Sequence, residues 1–456
     1  MTLMKTFNVE GVRVVVVGAA RSGVAAAELL ARRGAKVTLT DQKSVLADAE
    51  RLRASGVDLE LGAVDAPAVD SAELVVMSPG VPVELPAVAA ARSRGIPVIG
   101  ELELACRWLR GRVVAITGTK GKSTTTTLVG RMLATAGRRV LVGGNIGVPV
   151  SSHVDQSTED TVHVVEASSF QLETTETFRP WIAALLNFSP DHLDRHPNEA
   201  AYGRAKSRIF ANQGGDDWAV VNADNAPALV LAANARAKRL HYAVDNSANA
   251  DVFVERDFIW QRTSEGLTPL VPLASIELAG RHMLSNVAAA SAICLAAGAS
   301  GESMARALAG FTGLEHVMEP VASVGGVRFV NDSKATNVDA AGRSIESFDR
   351  VVAILGGRYK GGAFEDLRPP LSERGKGVVA IGEAKPLVRR ALADIVPVVD
   401  AESMAEAVAK AWELARPDGV VLLAPACSSF DMFRDYKHRG DVFVEAVRSL
   451  AERRGA

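Results

Sequence analysis

The stretch Thr117-Gly118-Thr119-Lys120-Gly121-Lys122-Ser123-Thr124 limits the folds open to this chain more than any other. It follows an apolar, strand-like run at residues 113–116 and opens a helix-like segment at residues 125–136 that stops at Gly137. Glycines at a strand-to-helix turn aim backbone N–H groups at one point, a geometry that binds phosphate. Gly118 and Gly121 let the main chain come close, Lys122 reaches the outer phosphates, and the Ser123 hydroxyl suits the accompanying Mg²⁺. The general phosphate-loop pattern has a glycine five positions before Gly121, where this chain has Ile116, so the match is to a compact form. The alternative is a glycine turn ahead of a threonine-rich helix start; the flanking strand and helix select the nucleotide triphosphate cradle.

At 456 residues the chain has length for about three domains. An apolar share of 48% and a charged share of 23% supply several cores without a signal for disorder. A net charge of −2 with acids and bases well mixed argues against a nucleic-acid surface or a membrane patch, leaving small-molecule chemistry. Cys106, Cys294 and Cys427 are too dispersed for a disulfide framework or a clustered zinc site, which points to a reducing cytoplasm. No apolar run approaches the ~18 residues of a spanning helix.

Residues 1 to about 100 read as alternating strands and helices. A strand at residues 12–17 leads into Gly18-Ala19-Ala20-Arg21-Ser22-Gly23, a helix, and a second strand ending at Asp41. Asp41 lies where the ribose-binding acid of a dinucleotide fold would sit, but Ala20 replaces the fingerprint's middle glycine. Either a tight turn or a ribose- or phosphate-holding turn fits. Ser78-Pro79-Gly80 ends a later strand, as ligand loops of open α/β sheets do. After the phosphate loop, a strand at residues 162–165 delivers Glu166, an oxygen ligand suited to Mg²⁺. A further strand leads to Asp191-His192-Leu193-Asp194-Arg195-His196, dense enough in acids and histidines to hold a metal or a substrate. Lys206 reads by charge alone as a solvated lysine. Residues 216–278 look strand-rich and irregular. Asn286, at an alanine-rich helix start, is either a cap or a contact to a base. From about residue 317 strands and helices alternate again as a doubly wound sheet, with chemistry-bearing loops at residues 331–337, 356–362 and 425–431.

On Thr117 to Thr124, Gly143-Gly144-Asn145-Ile146-Gly147, Glu166-Ala167-Ser168-Ser169-Phe170-Gln171, Asp191-His192-Leu193-Asp194 and Asn331-Asp332-Ser333-Lys334-Ala335-Thr336-Asn337, the chain resembles the Mur ligase family along essentially its whole length. The resemblance implies an α/β protein of three domains. These are a Rossmann-like UDP-binding domain at residues 1–105, a central P-loop-type ATPase domain with a parallel sheet at 106–316, and a Rossmann-like amino-acid-binding domain at 317–456. It implies ATP and Mg²⁺ as cofactors, UDP-N-acetylmuramoyl-L-alanine and D-glutamate as substrates, an acyl phosphate intermediate, and a monomer working in the cytoplasm on a peptidoglycan precursor.

By the same resemblance Gly18, Arg21, Ser22, Asp41, Ser78, Pro79 and Gly80 surround the UDP. Gly118, Thr119, Lys120, Gly121, Lys122, Ser123, Thr124 and Asn286 hold ATP, and Ser123, Glu166, His192 and Lys206 serve Mg²⁺, Lys206 as a carbamylated lysine. Asn145 and His192 touch the muramoyl-alanine moiety. Thr336, Lys360, Ser429 and Tyr436 hold glutamate, with Asp332 and Lys334 beside them, and Lys122, His192, Lys206, Asp332 and Lys334 carry the catalysis. Closure of the third domain is expected to complete the site. The chain departs from the family at Met283 and at Val317 after His316, where nucleotide contacts are expected to loosen, and at Tyr436, which adds a hydroxyl to the amino-acid pocket. Rival readings are a ligase of this superfamily using L-glutamate, another amino acid or a folate, an NAD oxidoreductase resting on the Gly18 turn alone, and a non-catalytic nucleotide-binding regulator.

Overall fold

A computed structural model describes residues 7–62, 68–192, 195–245, 247–276, 280–311, 313–359 and 362–454. Lys360, and Leu193 and Asp194 of the acid–histidine motif, lie outside the described residues. The chain forms two compact units, Met1–Phe311 and Thr312–Ala456.

The first unit holds two sheets. Valine-rich β1 (Arg13–Val17), β2 (Lys36–Asp41), β3 (Val57–Leu61), β4 (Leu74–Met77) and β5 (Val98–Gly100) pair in parallel in the order β3-β2-β1-β4-β5. Strand order reverses between β1 and β4, so a crevice opens beyond their carboxyl ends, where the Gly18 and Ser78 loops lie. A Cβ on Gly23 would stand 1.8 Å from the Gly18 carbonyl oxygen, so only glycine lets the helix Arg21–Arg32 pack this close to the turn.

The second sheet comprises β6 (Arg112–Thr117), β7 (Arg139–Gly144), β8 (Thr161–Glu166), β9 (Ile182–Leu185), β10 (Trp218–Asn222), β11 (Lys238–Ala243), β12 (Val252–Glu255), β13 (Phe258–Thr263) and β14 (Gly266–Pro272). Its order is β14-β13-β12-β11-β10-β9-β6-β8-β7, parallel as far as β12, with β13 and β14 added as antiparallel ribbons. The stretch that looked irregular in sequence is thus an extension of the ATPase-type sheet. Strand β6 sits between β8 and β9, so its carboxyl end is flanked by both.

The two sheets are joined by the helix Glu101–Cys106. Its Glu103 is fully buried and accepts the N–H groups of Glu176 at 2.9 Å, Thr177 at 3.1 Å and Phe178 at 3.0 Å, besides the Thr177 hydroxyl and Arg107. Glu101 accepts the Ser151 N–H at 2.7 Å.

The second unit pairs β15 (Glu319–Val324), β16 (Val327–Asn331), β17 (Val351–Gly356), β18 (Gly375–Ile381), β19 (Val398–Asp400) and β20 (Val420–Leu423) in the order β15-β16-β20-β17-β18-β19. All run parallel except β15, an antiparallel edge strand that carries Pro320 and is largely half-exposed. Its weak apolar pattern and proline kept it out of the sequence reading. Valine, isoleucine and leucine from β16, β17, β18 and β20 pack against helices on both faces.

Replacing Glu103 by alanine should destabilise the first unit by about 3 kcal/mol at neutral pH, because it leaves buried donors without an acceptor. Burial pushes the Glu103 carboxyl up, but hydrogen bonds from Thr177, Glu176 and Arg107 outweigh it and hold the pKa below 4.5. A depressed folded-state pKa stabilises above the unfolded value and is lost as pH falls through the folded one. The urea-denaturation gap between wild type and Glu103→Ala should therefore narrow as pH falls below 4.5 through the folded pKa; a gap that persists unchanged into acid would contradict this.

Candidate active site

The phosphate loop is shaped by tertiary contacts as much as by its glycines. Gly121 precedes the helix Lys122–Thr135 at φ +77°, and a Cβ there would lie 2.2 Å from Asn286 Oδ1. Asn286 lies inside the helix Arg281–Ala296 rather than capping it, with its carboxamide against the loop and its Nδ2 donating to Met283 Sδ at 3.7 Å. The unusual Met283 is therefore buried beneath the loop. Asn187, just past β9, has the largest hold. Its Oδ1 accepts the Lys120 N–H at 2.9 Å, its Nδ2 donates to Lys120 O at 3.0 Å, and its carbonyl accepts the Thr119 N–H at 3.1 Å. The Thr119 hydroxyl donates to Ser189 O at 3.1 Å. Sequence reading gave Asn187 no role; its position at the end of the strand beside β6 is the signal that could have found it.

Two lysines converge on this loop. Lys122 Nζ donates to the carbonyls of Gly118 and Thr119, both at 2.9 Å, and Lys206 Nζ donates to Gly118 O at 2.8 Å. Far from being a solvated lysine, Lys206 is 1% exposed, on the helix Glu199–Ser207 with its ammonium over the Tyr202 ring. Burial drives its pKa well below 10.5 and Lys122 pushes the same way, against Asp191 and Glu166.

Glu166 ends β8 in register with Ile116 of β6. Its Oε1 accepts Asn145 Nδ2 at 2.6 Å, while Oε2 is buried and accepts no hydrogen bond. A carboxylate oxygen left over beside a loop lined with amides and a serine hydroxyl is a hard oxygen donor of the kind Mg²⁺ takes. Among the described residues no three His, Cys, Asp or Glu side chains converge into a metal cage. His192 is half-exposed at φ +55°, its Nε2 3.8 Å from Asp191 Oδ2, with Phe170 against its ring. His196 turns inward, stacks on Phe170 and meets the Ser169 hydroxyl at 2.9 Å, so the two histidines part company.

In the first sheet's crevice, Asp41 Oδ2 accepts the Ala19 N–H at 2.6 Å and Oδ1 accepts the Lys43 N–H at 2.9 Å. The carboxylate thus braces the Gly18 turn. Gly18 and Ser78 pack face to face, since a Cβ on Gly18 would lie 2.9 Å from Ser78 Cβ. Arg21 donates to Gly147 O, and Arg195 donates to Gly80 O at 3.1 Å, so both crevice loops are tied to the central sheet's loops. Ser22 sits half-buried in the first turn of the following helix, and Asn145 is exposed on the loop after β7. Pro79 lies between Ser78 and Gly80 on the second crevice loop.

In the second unit, the loops after β16, β20 and β17 stand side by side because those strands are neighbours. Asp332 is 6% exposed; it accepts the Met318 N–H at 3.2 Å and the Ser344 hydroxyl. Burial raises its pKa to about 6 against the pull of Ser344, Met318 and Lys334. Thr336 is half-buried, Ser429 is buried, and Tyr436 opens the helix Tyr436–Arg454 with its ring across from His316. Val317 is half-buried, its N–H bonded to Leu314 O at 3.0 Å.

A phosphate loop flanked by a strand-end glutamate and a buried lysine, between one Rossmann-like sheet and a chain segment that forms another, defines a class, and the chain belongs to the Mur ligase family. Residues 12–100 match the Mur ligase MurD-like N-terminal domain, 116–294 the Mur ligase middle domain, and 318–427 the Mur ligase, glutamate ligase domain. The chain is 44% identical over 449 residues to a Koribacter versatilis protein named UDP-N-acetylmuramoylalanine--D-glutamate ligase, covering 98% of this chain and 99% of that one. It is 45% identical over 455 residues to the Acidobacterium capsulatum protein of the same name, covering 98% of each. Among solved structures it is similar in fold to UDP-N-acetylmuramate-alanine ligase MurC from Thermotoga maritima, at TM-score 0.60 and 17% identity over 96% of this chain and 100% of that one. A pseudomurein peptide ligase type C from Methanothermus fervidus aligns with TM-score 0.59 and 17% identity, covering 96% and 99%.

The raised pKa of Asp332 yields a stability signature. Its carboxyl stays protonated in the fold from the ordinary 3.8 up to about 6, so the folded state loses stability as pH climbs through that interval and is level above it. The interval corresponds to about 3 kcal/mol. Urea titrations of wild type and Asp332→Asn should show the variant gaining on wild type between about pH 4 and pH 6, and parallel curves across that range would rule the assignment out.

Proposed function

We propose that this chain is an ATP-dependent ligase that joins D-glutamate to UDP-N-acetylmuramoyl-L-alanine, releasing ADP and phosphate, in peptidoglycan precursor synthesis. The observation that carries the reading is that Lys122 and Lys206 both donate to the Gly118 carbonyl just past β6, while Glu166 ends the neighbouring strand β8. The names of its full-length relatives supply the substrates. We assign the UDP moiety to the crevice of residues 1–105, ATP to residues 106–316 and glutamate to residues 317–456.

In the first step the terminal L-alanine carboxylate attacks the γ-phosphorus of ATP, forming an acyl phosphate and ADP. In the second the glutamate amine attacks the acyl carbon, a tetrahedral adduct forms, and phosphate departs as the amine loses its proton. In this reading Lys122 stands where charge builds on the transferred phosphoryl group, and Asn187 fixes the loop backbone at Thr119 and Lys120 in advance. Gly118, Thr119, Lys120, Gly121, Ser123 and Thr124 cradle the phosphates in this reading. Ser123, Glu166 and His192 would hold Mg²⁺, whose chemistry here is neutralisation of phosphate charge. Lys206 fits carbamylation: burial favours its neutral, nucleophilic amine, and its CO₂ adduct would trade a repelling cation for an anion with oxygen donors. Asn145 and His192 are assigned to the muramoyl-alanine moiety. Asp332, Lys334, Thr336, Ser429 and Tyr436, with Lys360, are assigned to glutamate. A monomer in the cytoplasm is the setting we adopt.

The test is ADP release by purified protein with ATP, Mg²⁺ and UDP-N-acetylmuramoyl-L-alanine, run with D-glutamate, L-glutamate or no amino acid. Sustained turnover with D-glutamate alone is expected, and Lys206→Ala should abolish it while still binding ATP. Turnover only with L-glutamate, or an alanine variant at full activity, would refute the reading.

A further inference from the structure

Arg439 is the largest side chain buried without exposure among the described residues, and it is a cation. Every nitrogen of its guanidinium is engaged. Nε donates to the Ser333 hydroxyl at 2.9 Å, Nη2 to Ser333 O at 2.8 Å, and Nη1 to Cys427 O at 3.0 Å. The Ser333 hydroxyl in turn donates a hydrogen bond to Tyr436 O at 2.7 Å. A Cβ at Gly357 would lie 3.3 Å from Nη1 and 2.2 Å from Ser428 O, so the loop after β17 also closes on the guanidinium.

These contacts reach what carries the amino-acid site. Ser333 lies on the loop bearing Asp332, Lys334 and Thr336, Cys427 on the loop bearing Ser429, and Tyr436 opens the helix to which Arg439 belongs. A rigid planar fork is the side chain suited to fixing several carbonyls at once. Its hydrogen-bond acceptors are two carbonyls and a hydroxyl, which orient it, and Asp431 on the loop after β20 is close enough to act on its charge. In surroundings of low dielectric that charge acts on whatever the loops hold. A helix dipole or a neutral amide could join the loops; a buried cation does so at a desolvation cost, which a bound anion offsets.

We propose that Arg439 is a positioning and specificity-determining residue of the amino-acid site: its fork locks the loops after β16 and β20 together, and its charge makes that site prefer a dicarboxylic amino acid over the neutral side-chain amide. The inference rests on the ligase reading above. It is tested by the kinetics of wild type, Arg439→Gln, Arg439→Lys and Ser333→Ala with D-glutamate and D-glutamine. A second readout, without amino acid, traps the acyl phosphate with hydroxylamine as a hydroxamate, releasing phosphate.

Arg439→Gln should raise the KM for D-glutamate about tenfold or more and cut the preference for D-glutamate over D-glutamine by a similar factor. KM for ATP and for the nucleotide acceptor should stay within about twofold, and hydroxamate formation should persist. Arg439→Lys, which keeps the charge and loses the fork, should restore the preference but not the KM. Ser333→Ala gives a test that does not depend on a buried charge being removed; it should raise the KM for D-glutamate about threefold with the preference intact. An unchanged preference in Arg439→Gln, an unchanged KM in Ser333→Ala, or equal losses toward ATP and glutamate would overturn the inference. Wild type that turns over with neither amino acid nor hydroxylamine supplied would instead overturn the ligase reading, and this inference with it.

Discussion

Two lysine ammonium groups share one carbonyl oxygen, that of Gly118, and much of the central sheet is arranged around this contact. Like charges held this close repel, and one of them is almost wholly out of water. The arrangement is stable only if backbone dipoles and nearby acids offset the repulsion, or if one lysine gives up its proton. The loop carbonyls, Asp191 and Glu166 supply that offset, and burial with the Lys122 charge lowers the pKa of Lys206. In the proposed reading, a bound triphosphate would supply the negative charge that these two ammonium groups attract.

The sheet topology explains how such a loop is built. With β6 between β8 and β9, a glutamate from one neighbour and an asparagine from the other arrive at the same edge, Glu166 as an oxygen donor and Asn187 as a brace. The first sheet repeats the logic with Asp41 bracing the Gly18 turn, and the second unit repeats it with Arg439 bracing the loops after β16 and β20. In each case a polar side chain from elsewhere in the chain holds the backbone of a ligand loop by hydrogen bonds. The braces take up hydrogen-bonding groups of the loop backbone, among them the N–H groups of Thr119, Lys120 and Ala19, and so fix its path.

Much of this was legible in the sequence, because strands of a parallel sheet read as apolar runs and their ligand loops follow directly in the chain. The phosphate loop, Glu166, the Gly18 turn and the loop at residues 331–337 all announce themselves in this way. The braces do not. Asn187 is one residue in a strand-end loop, Arg439 lies in a polar stretch of helix, and Glu103 resembles any surface glutamate, since what matters is the partner each meets in three dimensions. Helix starts were also displaced. The β-branched run at residues 124–127 hid a helix that begins at Lys122, and Asn286, read as near a start, lies within a helix that begins at Arg281. The resemblance to a ligase family supplied Lys206, which charge alone could not single out; its burial supplies the physical reason.

The central claim is that ATP activates a carboxylate as an acyl phosphate before the amide bond forms. The most direct measurement places isotopically labelled oxygen in the alanine carboxylate of UDP-N-acetylmuramoyl-L-alanine and follows it through one turnover with ATP and D-glutamate. Mass analysis of the released inorganic phosphate should find the label there, because the oxygen bridging carbon and phosphorus leaves with phosphorus. Unlabelled phosphate alongside amide product would show that the carboxylate never bonded to the γ-phosphorus, and would contradict the account.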